Sequence, residues 1–187
     1  MSFVSAKRII LLVDLAGYTK AFHSHTDEEI AAFIQEFYVG CDKVITASGG
    51  TVIKFMGDAC LATFPPDLAM NAVQALVKLQ PEIQALVGRH HVSVTLGANL
   101  HFASAIEAEF GAGTSKRRDI IGRGINQTFL LGRGPGIRIS EPVYRALPSS
   151  ARSPWSKHKP PAVYHLDSTD GILEGMGKDP TSNTLRW

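Results

Sequence analysis

The chain has 187 residues, 44% of them hydrophobic and 19% charged, with a formal net charge of +2. That length suits one domain around one core, and that composition excludes a disordered or fibrous chain. So small a charge argues for neither a nucleic-acid nor an anionic-membrane partner. The start, "MSFVSAKRIILLVDLAG", holds an apolar run from Ile9 to Val13. It is far shorter than a membrane span and no cleavage pattern follows it. Two cysteines, Cys41 and Cys60, without a secretory leader imply a soluble, cytoplasmic protein. The histidines show no metal-ligand spacing.

"RIILLVDLAG" reads as a buried strand ending in Asp and Gly. In "HTDEEIAAFIQEFYVGCDKVITASGG", Thr26 and Glu29 have capping-box spacing. Ile30, Phe33, Ile34, Phe37, Cys41, Val44 and Ile45 recur at helical spacing, and Gly49-Gly50 ends the helix they predict. A hairpin follows, "TVIKF" and "ACLATF" about the turn Met56-Gly57-Asp58. Pro65-Pro66 stops its second strand. Asp67 is the candidate cap of a helix "LAMNAVQALVKLQ", and Pro81 starts or kinks what comes after. "HVSVTLGANLHFASAIEAEFG" is β-rich, "SKRRD" reads as a charged loop, and "IIGRGINQTFLLGRG" as a short strand turning into a helix. "GIRISEPVYRAL" and "PAVYHLD" supply a strand, a helical turn and a final strand. Residues 168–187 are polar with Gly and Pro, and read as a loose tail or an arm that packs on a partner. The order β-α-β-β-α-β with additional strands is an α+β fold with a ferredoxin-like βαββαβ core. It forms a single domain over residues 1–187, with its core at about 7–166.

Asp14 ends the first strand and Asp58 sits in the hairpin turn. If the first strand and the returning strand are neighbours, both carboxylates meet at one edge of the sheet. Two carboxylates without a cation repel each other, so such a pair favours bound Mg²⁺ or Mn²⁺. A pair of such ions polarises phosphates and activates an oxygen nucleophile. After Asp14, "LAGYT" brings Gly17, Tyr18 and Thr19 to the start of a helix, where backbone amides can hold a phosphate. Taken singly, each Asp also reads as an ordinary strand-end or turn residue.

Together, "VDLAGYT", "GGTVIKFMGDACLATF" and "DIIGRGIN" resemble the class III nucleotidyl cyclase catalytic domain, the adenylate and guanylate cyclase family. The resemblance covers roughly residues 7 to 166. It implies that Asp14 and Asp58 bind two metal ions and that a ribose 3′-hydroxyl attacks the α-phosphate with loss of pyrophosphate. It implies that Lys54 and Asp119 select the base. A Lys donor with an Asp acceptor fits adenine and mismatches guanine, so ATP is the implied substrate and cyclic AMP the product. Asn126 matches the residue that orients the ribose. Outside the resemblance, Lys54 and Asp119 read as a salt bridge and Asn126 as a helix cap.

Two departures stand out. The family's transition-state Arg, one helical turn after the Asn, is Leu130 here, and one such donor contributes on the order of 10²–10³ in rate. Arg133 is the candidate substitute, on the same helix face a turn further along, or else an exposed helix end. A triphosphate-contacting Arg is Thr95. Lys157 and Lys159 are candidates for the C-terminal triphosphate Lys, and Arg117 and Arg118 could also reach phosphates. The family's site lies between two protomers, which implies a head-to-tail homodimer or a heterodimer with a better-equipped cyclase chain. A degenerate cyclase-homology domain that binds nucleotide or a partner without turnover, and a plain ferredoxin-like interaction module, are the alternatives.

Overall fold

The computed structural model describes residues 3–158 and 163–166. Lys159 and the expected tail lie outside them. The elements are β1 (Ser5–Ala16), α1 (Tyr18–Ala21), α2 (Asp27–Ala47), β2 (Thr51–Met56), β3 (Ala59–Phe64), α3 (Ala69–His90), β4 (Thr95–Phe110), β5 (Arg117–Ile121), α4 (Arg123–Leu130), β6 (Gly136–Ser140), α5 (Glu141–Ala146), β7 (Ser156–His158) and β8 (Val163–Leu166).

The sheet order is β2-β3-β1-β4-β6-β8-β7, with β5 on the far end of β4. Its first four strands are antiparallel, β4 and β3 flanking β1 and β2 outside β3. That is the ferredoxin-like α+β arrangement expected, extended by β6, which runs parallel to β4. The neighbour that brings Asp58 to β1 is therefore β3, the second strand of the hairpin. Met56 completes β2, which leaves Gly57 and Asp58 as the turn, with Gly57 at φ 64.

Period-two alternation in β1 assigns its two faces. Ile9, Leu11, Val13 and Leu15 pack on Phe33, Phe37 and Ile45 of α2 and Val73, Leu76 and Leu79 of α3. Ile10 points the other way, into a smaller cluster with Leu61, Ala105, Ile120 and Ile125 beneath α4. Asp14 shares the parity of Ile10, so it emerges on the α4 face. The α2 capping box is formed: the Glu29 amide donates to Thr26 Oγ1 at 3.3 Å, and the Thr26 amide to the Glu29 carboxylate at 2.9 Å.

Several expectations are corrected. Asp67 does not cap α3; Leu68 occupies that position, its amide turned back to the Pro65 carbonyl. Pro81 does not start a helix, because α3 runs through it to His90 with Leu79, Ile83 and Leu86 buried on one face. "SKRRD" is only partly loop: Arg117, Arg118 and Asp119 belong to β5, paired to Ala108–Phe110 of β4, with Arg118 ion-paired to Glu107 and Lys116, just before β5, to Glu109. Asn126 lies inside α4, whose N-cap is Gly122. Arg133 is off the helix, because α4 ends at Leu130 and a glycine-rich loop follows, with Gly134 at φ 85. Among the described residues, no helix is long and apolar enough to cross a membrane.

Candidate active site

β1 and β3 place the two acidic residues together. Asp14 pairs with Ala59, the residue after Asp58. Burial pushes the Asp14 carboxyl above its ordinary value, and the nearby Asp58 charge adds to this; the Leu15 amide, Arg133 and Arg138 oppose it. The two carboxylates form no salt bridge among the described residues. Crowded like charges without a contacting cation are what a divalent ion relieves. No group of three or more His, Cys, Asp and Glu forms a metal cluster among the described residues. Two carboxylates nevertheless suit Mg²⁺ or Mn²⁺, which complete their shells with water, carbonyls and phosphate oxygens.

The surroundings of Asp58 are aromatic. Tyr38 stacks on Phe55 with ring centroids 4.0 Å apart, and its hydroxyl donates to the Gly57 carbonyl at 2.8 Å. This bond ties the turn to α2. Burial, then the Asp58 charge, raises the Tyr18 and Tyr38 hydroxyl pKa values. Gly17 takes φ 89 and starts the short helix α1, with Tyr18 half-buried and Thr19 exposed.

Lys54 and Asp119 meet although β3, β1 and β4 separate their strands in the sheet order. The sheet curls until β5 faces β2, and Lys54 Nζ donates to Asp119 Oδ2 at 2.8 Å. The Ile120 amide donates to the other oxygen at 2.7 Å. Burial pushes the Asp119 carboxyl up, but the hydrogen bonds from Lys54 and Ile120 outweigh it and hold it below its ordinary value. The side chains are 38% and 29% exposed, so the pair contributes about 0–1 kcal/mol and opens at little cost. Asn126 is exposed on α4, and the next residue, Gln127, bonds His101 at 3.0 Å.

Two cavities flank the loop after α4. One, of about 270 Å³, joins Asp14, Gly97, Asn99, Phe129, Arg133 and Arg138. The other, of about 420 Å³, joins Leu130, Arg133, Arg138, His158 and His165. Lys157 is not among the second cavity's lining residues. Its ammonium lies 6.0 Å over the Tyr164 ring, and it is the adjacent His158 that lines the cavity. Arg117 and Arg118 are taken up locally, by the Thr114 and Lys116 carbonyls and by Glu107. Thr95 is exposed at the start of β4.

Asn99, Arg138, Tyr38 and the two histidines were not found from the sequence. Arg138 sits in "GRGPGIRIS", where the clustered glycines signal a loop that something must hold. No local pattern points to Asn99.

The known proteins that this chain resembles are named as adenylate or guanylyl cyclases. An adenylate cyclase of Anabaena cylindrica is 27% identical over 91% of this chain, which spans 34% of that protein. The crystal structure of the guanylyl cyclase Cya2 superposes with a TM-score of 0.79 at 20% identity, covering 88% of this chain and 93% of that one. The adenylyl cyclase CyaB from P. aeruginosa superposes with a TM-score of 0.76 at 17% identity, covering 90% and 97%. No family model matches the chain. It spans only part of the length of the curated relatives it matches.

Proposed function

We propose that this chain, which resembles the class III nucleotidyl cyclase catalytic domain in its motifs and has that fold, is an adenylate cyclase. It converts ATP to 3′,5′-cyclic AMP and pyrophosphate at a site completed by a second protomer. The observation that carries this reading is the Lys54–Asp119 pair, poised on one face of a chain that also brings Asp14 beside Asp58. Both pairs match the family motifs, and an interaction module would need neither.

Asp14 and Asp58 would hold two Mg²⁺ or Mn²⁺ ions, which supply phosphate polarisation and a more acidic ribose hydroxyl. The amides of Gly17, Tyr18 and Thr19 donate to phosphate oxygens on the same protomer. The partner protomer supplies the other half. Its Lys54 donates to the ring nitrogen of adenine, and its Asp119 accepts from the exocyclic amine. Guanine presents the reverse pattern and leaves both groups unmatched. Asn126 positions the ribose by hydrogen bonding. A head-to-tail homodimer gives two such sites; a heterodimer with another cyclase chain gives one or two.

A second reading, binding without turnover, is favoured by Leu130. It is 78% exposed and offers no charge where the family places an Arg. One assay separates the two: cyclic nucleotide formation from ATP, GTP, CTP and UTP with Mn²⁺, using Asp14→Ala as control. Cyclic AMP that disappears in the control supports the cyclase. A dimer that binds ATP and forms no product supports the second reading.

A further inference from the structure

The loop after α4 is built around one guanidinium. Arg138 donates to the carbonyls of Arg133 at 2.6 Å, Pro135 at 2.8 Å and Gly134 at 3.2 Å. A Cβ on Gly132 would sit 2.5 Å from Arg138 Cδ, so only a glycine lets the chain wrap this closely. The wrapped loop lies on β4. A Cβ on Gly97 would meet the Gly134 carbonyl oxygen at 2.6 Å. Gly97 is also the cross-strand partner of Asp14. The loop is thus anchored beside the strand position that carries the metal carboxylate, on the same chain.

Arg138 spends donors on these carbonyls and serves as a positioning residue. Arg133 differs. It is exposed, and its guanidinium makes no hydrogen bond or ion pair among the described residues. It lines the same cavity as Asp14, whereas Leu130 lines only the neighbouring one. That first cavity also holds an unsatisfied acceptor. Asn99 is 3% exposed, and its Nδ2 donates to the Thr128 and Gly132 carbonyls at 3.0 Å each, which fixes Oδ1 as the free end. Oδ1 has no partner among the described residues.

We propose that Arg133 works in cis: on the protomer that carries Asp14, it neutralises phosphate charge in the Asp14 cavity, in place of the guanidinium that position 130 lacks across the interface. This rests on the cyclase reading above. It reverses the assignment expected of a substitute for Leu130, which would serve the partner's carboxylates.

Two measurements test it. The first is Mn²⁺ titration of the nucleotide-free full chain by calorimetry, at a concentration where it is monomeric. A cation beside Asp14 opposes Mn²⁺, so Arg133→Ala is expected to tighten binding between about three- and tenfold, with Arg133→Lys near the unmutated chain. Unchanged affinity in Arg133→Ala overturns the proposal. The second is mixing of inactive variants. Asp14→Ala mixed with Asn126→Ala regains activity, because one composite site escapes both changes. Asp14→Ala mixed with Arg133→Ala stays at the level of the separate variants if Arg133 acts in cis. Recovery equal to the Asn126 mixture overturns the proposal. If the unmutated chain forms no cyclic nucleotide, the cyclase reading fails, and the Mn²⁺ titration still decides where Arg133 acts.

Discussion

On the proposed reading, Asp14 carries a conflict between stability and function. Its folded pKa is raised by burial and by Asp58, so at neutral pH the folded chain holds a charge it disfavours. The destabilisation grows as pH rises from the ordinary value of 3.8 through the raised folded one. Asp14→Asn is therefore expected to raise Tm at pH 7 without metal, and the gain should vanish as the pH falls toward that ordinary value. A lower Tm at pH 7 would show that the charge is satisfied. Asp119 has the opposite sign: its pKa is depressed, so its contribution is present above 3.8 and is lost as pH falls through the folded value. Replacing Lys54 and Asp119 together should cut the preference for ATP over GTP toward unity while changing stability by about 1 kcal/mol or less. An unaltered preference, read from kcat/KM for both nucleotides, would remove them from base selection. Leu130→Arg should raise kcat by up to about 10²-fold if position 130 limits turnover. At this scale Asp14 and Asp58 were legible because the end of a strand and a turn announce themselves in sequence, whereas Lys54, inside β2, and Asp119, inside β5, were picked out by the family motifs. Asn99 was not, since its partners Thr128 and Gly132 come from a distant element.

Among elements, α2 and the α4–β6 loop carry the clearest tests. Thr26→Ala removes a formed capping box and should cost about 1 kcal/mol, measured by urea denaturation. Gly97→Ala drives a methyl against the Gly134 carbonyl, so either β4 or the Arg133 loop must move. We expect a loss of about 1–3 kcal/mol together with reduced turnover. Full activity would show that the loop's seat on β4 is unimportant. The helices α2 and α3 and the hairpin β2–β3 were readable from periodicity and turn chemistry. Of β5 only the Ile120-Ile121 end was, and β7 was not. β5 is rich in Arg and is held by cross-strand charges with β4, and β7 is exposed on an edge. The end of α4 was also misjudged, because the sequence pattern runs on through Leu131 while the backbone turns at the glycines.

The whole molecule is a sheet that curls until β2 and β5 touch, and this curl brings Lys54 to Asp119 while leaving Asp14 and Asp58 at another edge. Only the core order β2-β3-β1-β4, and not the places of β5 to β8, followed from the sequence, because βαββαβ admits few topologies. The curl did not, since it depends on the length of β4, which pairs with β1, β5 and β6 along its sixteen residues. On the proposed reading one chain offers two half-sites, and a second copy would supply the complement of each. The most direct measurement is cyclic AMP formation from ATP with Mn²⁺ as the chain concentration is raised, alongside the oligomeric state by light scattering. Activity per chain should climb as dimers form, level off once they dominate, and be absent from Asp14→Ala throughout. Activity per chain that is constant in a monomer, or no product from an established dimer, would contradict the account.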